Sequence, residues 1–146
     1  AIQATHCTSD MNWIKDRLGE KRLNRAYPWR KFLDNDVITP GGSDSPIESA
    51  NPLEGIYASI TRQDKNGLPK NGWYSDQKMT LDEAIKSYTE WPAYASFEDD
   101  LKGKIKVGYY GDFTVLDSPL KQNKPLNILK TKVTFTIVNG QVVYKR

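Results

Sequence analysis

The sequence of 146 residues contains one cysteine, Cys7, and one histidine, His6. A single thiol excludes an internal disulfide and any cysteine-rich zinc site. One imidazole leaves little with which to hold a divalent ion, since such sites normally take three or four protein ligands. No stretch approaches the roughly 20 apolar residues of a membrane span, so no membrane partner is expected. Charge of one sign is lacking too: 21 Lys and Arg stand against 18 Asp and Glu, a net +3. The basic cluster Lys15, Arg17, Lys21, Arg22, Arg25, Arg30 and Lys31 is broken by Asp16 and Glu20. That pattern describes a solvated helix face better than a nucleic-acid footprint, and no nucleic-acid partner is expected. Neither an internal repeat nor a low-complexity tract is present. Ala1 to His6 holds no initiator methionine, basic n-region or apolar h-region, and reads as a chain entered in mid-element. It leaves the compartment unread.

What remains suits one ordinary domain with a core, and the 11% of aromatic residues, spread over every segment, speaks against disorder. Residues 1–9 are small and polar around Ile2, as at the end of a strand entering a loop. Asp10 is placed to N-cap a helix carrying Met11, Trp13, Ile14 and Leu18, with Gly19 as its stop. A second helix is predicted from Tyr27-Pro28 through Leu33, and Asp34-Asn35-Asp36 turns the chain into a short strand, Val37-Ile38-Thr39. Asn51-Pro52-Leu53-Glu54 combines a cap, a proline in the first turn and a glutamate able to reach back, with Leu53, Ile56, Tyr57 and Ile60 on one face. Asp64 to Lys78 is a long loop, broken by Gly67, Pro69 and Gly72 and bearing Trp73-Tyr74; loops of that length tend to be functional. Thr80-Leu81-Asp82-Glu83 is a capping box, and Pro92 kinks or restarts the helix that follows. Trp29 and Trp91 read as core.

Near residue 100 the pattern changes. Ile105–Val107, Phe113–Leu116, Val133–Val138 and Val142–Tyr144 are short β-type runs, and Asn139-Gly140 is a hairpin turn signal. Alternation of Val133, Phe135 and Ile137 with threonines predicts one buried face. The fold class is therefore α/β over residues 1–100 followed by a small β region over 101–146.

Gly41-Gly42-Ser43-Asp44-Ser45-Pro46 ends the Val37–Thr39 run. A strand that stops at glycines and delivers a carboxylate into a loop is how an α/β barrel presents a reactive group at its C-terminal rim. The same residues also make an ordinary Asx-turn or helix cap. Other residues have readings of their own. His6 by itself reads as a hydrogen-bonded loop histidine, and Arg62 is a partner for a substrate carboxylate or half of a helix-terminal salt bridge. Trp73 and Tyr74 line a substrate mouth or pack the long loop.

Gln3-Ala4-Thr5-His6 is followed by Ser9-Asp10-Met11, Tyr27-Pro28-Trp29-Arg30, Gly42-Ser43-Asp44-Ser45-Pro46 and Asn51-Pro52-Leu53. Thr61-Arg62-Gln63-Asp64, Gly72-Trp73-Tyr74, Ala93-Tyr94-Ala95 and the closing Thr136 to Tyr144 complete the series. In this order the stretches resemble the amidohydrolase superfamily, specifically its amidohydrolase family 3 group. The resemblance implies the C-terminal segment of a distorted (β/α)8 TIM-like barrel, together with strands of a composite β-sandwich. It implies a divalent metal, expected to be zinc, in the complete enzyme. It makes Asp44 the eighth-strand aspartate, a metal contact and proton acceptor, and it places His6 at a substrate-contacting position.

The family's His-x-His, its further histidines and its first six strands have no counterpart here. The chain is accordingly expected to be a portion of a hydrolase acting on non-peptide carbon–nitrogen bonds, inactive and metal-free by itself. Its partners would be a small-molecule substrate and either the missing N-terminal part of the barrel or a swapped copy. The competing reading is a non-catalytic binding or interaction module that uses the loop aromatics.

Overall fold

The computed structural model describes residues 1–121 and 124–146. Six short helices fill its first two thirds: α1 (Ala4–Asp10), α2 (Ile14–Leu18), α3 (Trp29–Leu33), α4 (Pro52–Thr61), α5 (Leu81–Ser87) and α6 (Glu90–Ala95). Three strands follow, β1 (Phe113–Leu116), β2 (Val133–Val138) and β3 (Gln141–Lys145), in one antiparallel sheet of order β1-β2-β3. Among the described residues no helix is long and apolar enough to cross a membrane.

Local signals place α3 to α6 well. Asn51 Oδ1 accepts from Leu53 N at 3.1 Å and Pro52 opens α4. Glu54 pairs with Lys65 at 2.8 Å instead of reaching back to the cap. Proline lacks the amide that a helix interior needs, so the chain restarts at Glu90 with Pro92 in the first turn of α6. Asn139 and Gly140 both take positive φ, 50° and 76°, and join β2 to β3.

Several expectations give way to packing. The helix predicted through Ile14 and Leu18 is present as α2 and stops at Gly19, but a further helix, α1, precedes it from Ala4, where Ala4, Thr5 and Cys7 are buried against α4; Asp10 is the last residue of α1 and not the cap of α2. Burial of one face overrides a good cap. Val37–Thr39 forms no strand, and the parallel component reduces to a single bridge between Ile2 and Gly41. Ile105–Val107 is no strand either: Ile105 is 88% and Val107 100% exposed, and among the described residues no strand pairs with them. β2 is half-buried along Val133–Ile137 on both faces instead of alternating. Trp29 is core at 1% exposure, whereas Trp91 is only half-buried.

The core joins Ala4 and Cys7 of α1, Trp29 of α3, Leu53, Ile56, Tyr57 and Ala58 of α4, Met79 and Ala84. Ile128, from a 3-10 turn at Pro125–Lys130, packs into the same core and Leu116 at the end of β1 packs against it, so part of the C-terminal region returns to the helices while most of the sheet stands outside them.

α3 and α5 are joined electrostatically. Arg30 Nη1 donates to Glu83 Oε1 at 3.0 Å and Nη2 to Oε2, while Glu83 also completes the Thr80 capping box. These bonds, the Arg30 contact first, pull the Glu83 carboxyl down to about 2. A depressed carboxyl contributes stability above its unfolded pKa and loses it as pH falls through the folded value. Glu83→Gln keeps a capping oxygen but loses the charge. It is expected to cost about 1–2 kcal/mol at pH 7 after allowance for solvent screening. The difference from wild type in urea unfolding should vanish as pH falls from 4.5 towards 2.

Candidate functional site

The site is built on the one parallel contact. Ile2 N donates to Pro40 O at 2.7 Å and Gly42 N to Ile2 O at 2.9 Å. Parallel pairing sends both segments out at the same end, towards His6 on one and Asp44 on the other. Gly41 N donates to Ser87 O at 2.6 Å, and a Cβ there would lie 3.0 Å from that carbonyl. Glycine is what lets the end of α5 close on the strand terminus.

Asp44 is exposed in left-handed backbone, φ 56°. Its main-chain oxygen accepts from Ile47 N at 2.8 Å; among the described residues its carboxylate makes no hydrogen bond or ion pair. The carboxylate is thus used neither in an Asx-turn nor as a helix cap. His6 lies half-buried in α1, with Nε2 buried and unpartnered among the described residues.

Arg62 and Trp73 are brought together, in a different setting from the one expected. Arg62 caps the C-terminal end of α4 at 0% exposure. Its Nε donates to Trp73 O at 2.5 Å, its Nη1 to Tyr27 O at 3.1 Å, and Trp73 N donates back to Arg62 O at 2.8 Å. The guanidinium lies 4.3 Å from the Trp29 ring and 5.3 Å from the Trp73 ring. No acid pairs with it among the described residues, so the helix-terminal salt bridge is replaced by carbonyls and rings, and a group this buried meets no ligand directly. Gly72 belongs to the same clasp: its φ is +83°, and a Cβ would fall 2.1 Å from Thr61 O. Trp73, half-buried, packs edge-on to Tyr27 and to Tyr74 with part of its ring left accessible, an arrangement that does not favour a module binding mainly through the loop aromatics.

Two contacts around α1 carry no local signature. Tyr27 Oη donates to Asp10 Oδ2, and burial together with this bond pushes the phenol above its ordinary range. Ser9 Oγ donates to Glu48 Oε1 at 2.7 Å. Both Ser9-Asp10 and Tyr27 lie in stretches carrying the resemblance, yet separations of 17 and 39 residues hide the pairing. Cys7, beside His6, is held as a neutral thiol: burial pushes it up to about 12 against the opposing charge of Arg62. A cavity of about 110 Å3 lies between α1 and α4, walled in part by Thr5, Glu48, Glu54 and Tyr57. No group of three or more His, Cys, Asp or Glu among the described residues is placed to hold a metal ion. The described residues of this chain do not fit a metal site by themselves.

The amidohydrolase family model matches residues 1–144. The chain belongs to the amidohydrolase family. It is 33% identical over 145 residues to the Bacillus subtilis protein named "Putative amidohydrolase YtcJ", covering 99% of this chain and 27% of that protein. It is 30% identical over 122 residues to the N-substituted formamide deformylase of Arthrobacter pascens, covering 84% of this chain and 22% of the relative. The amidohydrolase-family chain thus spans about a quarter of the curated relatives it matches. Among solved structures, an uncharacterized metal-dependent hydrolase from Pyrococcus horikoshii superposes with TM-score 0.62 at 29% identity, over 74% of this chain and 22% of that one. An amidohydrolase from Thermotoga maritima, 19% identical with TM-score 0.61 over 99% of this chain and 37% of that one, shares the fold.

Proposed function

We propose that this chain is the C-terminal portion of a metal-dependent hydrolase that cleaves non-peptide carbon–nitrogen bonds. The observation that carries the reading is the parallel Ile2–Gly41 bridge, which leads to an exposed Asp44 carboxylate, unpartnered among the described residues, three positions further on. In this reading the pair is strands seven and eight of a (β/α)8 barrel, and residues 101–146 contribute β1–β3 to a composite sandwich. Asp44 would offer one carboxylate to a divalent metal, expected to be zinc, which would supply an activated water, and Asp44 would accept a proton from that water. The other metal ligands come from outside this chain. His6 and the accessible part of Trp73 are assigned to the substrate. Arg62 acts at one remove, by clasping the loop.

The unfinished surfaces favour the same view. One face of the sheet carries Phe113, Val115 and Val142 at 37%, 40% and 58% exposure, beside a groove of about 600 Å3. Apolar faces of this kind belong against another layer, here the upstream part of the barrel protein or a swapped copy. On its own the chain is expected to be inactive.

Comparing the mass of the purified source protein with 16.6 kDa tests the reading, together with elemental analysis and hydrolysis assays on N-substituted amides and formamides. A chain several times longer that holds a divalent metal and releases amine supports it. A native protein of 146 residues with neither metal nor turnover removes catalysis.

A further inference from the structure

From Gly42 to Asn51 the chain crosses from the parallel pair to α4 over an open stretch, with Asp44 to Ile47 exposed and Ile47 at 71%. Its internal bonds are local: Ile47 N to Asp44 O, and Asn51 N to Ser49 Oγ. Among the described residues, one hydrogen bond leads from residues 43–50 to a different element, that of Ser9 Oγ to Glu48 Oε1 at 2.7 Å. Ser9 stands in the last turn of α1, the helix that also carries His6. No lysine or arginine competes for Glu48 among the described ion pairs, so its carboxylate is available as a charged acceptor, the stronger kind.

We infer that Glu48 is a positioning residue: accepting from Ser9, it holds the Asp44 loop against the helix that bears His6. The inference rests on the reading of Asp44 as the reactive carboxylate. A loop fixed at Gly42 and Asn51 alone leaves its middle free to sample many backbone states. One added tether near Asp44 narrows them, and small misplacements of a reacting group cost rate steeply.

The test has two arms. In the 146-residue chain, {1H}–15N NOE values of Ser43 to Ile47 should fall equally in Ser9→Ala and Glu48→Ala. The double variant should fall no further, because both remove the same bond. Glu48→Gln, which keeps an acceptor without the charge, should restore most of the order. Values unchanged in both alanine variants overturn the tether. In the hydrolase assembled with its upstream portion, Glu48→Ala should lower kcat roughly tenfold with KM within about twofold, and Glu48→Gln should recover it. Loss of order with kcat unmoved leaves the tether standing and sinks the reading of Asp44.

Discussion

Replacing Arg62 by alanine is expected to destabilise the chain by about 3–4 kcal/mol, enough to lower Tm by roughly 10 °C. Two opposed effects meet at this residue. A guanidinium at 0% exposure without a counter-ion carries a desolvation cost, which lowers its pKa, and removing it relieves that cost. Against this, the group satisfies Trp73 O and Tyr27 O and lies against two indole rings. Each buried carbonyl left unpaired costs about 1–3 kcal/mol. The αL position of Arg62 at the negative end of α4 also partly compensates the charge. Arg62→Met separates the terms, since it keeps the stem and deletes the head. Urea unfolding should show a loss of about 2 kcal/mol for methionine, with the further loss in alanine reporting packing. A methionine variant as stable as wild type would mean that desolvation outweighs the clasp.

Arg62 also marks where sequence reasoning stops. Its place after an amphipathic run identified a helix end, and the capping signals at Asn51 and Thr80 located α4 and α5 closely. Those are short-range features, each read within one turn. The partners of Arg62, Trp73 and Tyr27, lie 11 and 35 residues away, and only the folded chain shows that carbonyls rather than acids receive it. The Ile2–Gly41 bridge is of the same kind: Val37–Thr39 has a strand's composition, yet a strand requires a ladder, and here the ladder has one rung. The turn that carries Asp44 was legible from its glycines and its neighbours. That its carboxylate stays unused by any turn was not, since an Asx-turn and a free carboxylate share the same local sequence.

That freedom makes Asp44→Asn a decisive substitution. On the proposed reading of this chain as part of a larger hydrolase, kcat of that enzyme is expected to fall by about 10²–10⁴-fold, with KM little changed, because the amide matches the carboxylate in shape but accepts no proton. Asparagine is as tolerant of positive φ as aspartate, so the backbone at φ 56° is undisturbed. The side chain is exposed and makes no bond among the described residues, so stability should stay within about 0.5 kcal/mol of wild type. A loss of rate therefore cannot come from unfolding, and urea unfolding of the same variant checks this. Ser45→Ala, one residue on and equally exposed, should leave kcat near wild type and separates the carboxylate from its loop. Full turnover in the Asp44→Asn enzyme would return Asp44 to the status of a turn residue and leave the chemistry to groups outside this chain.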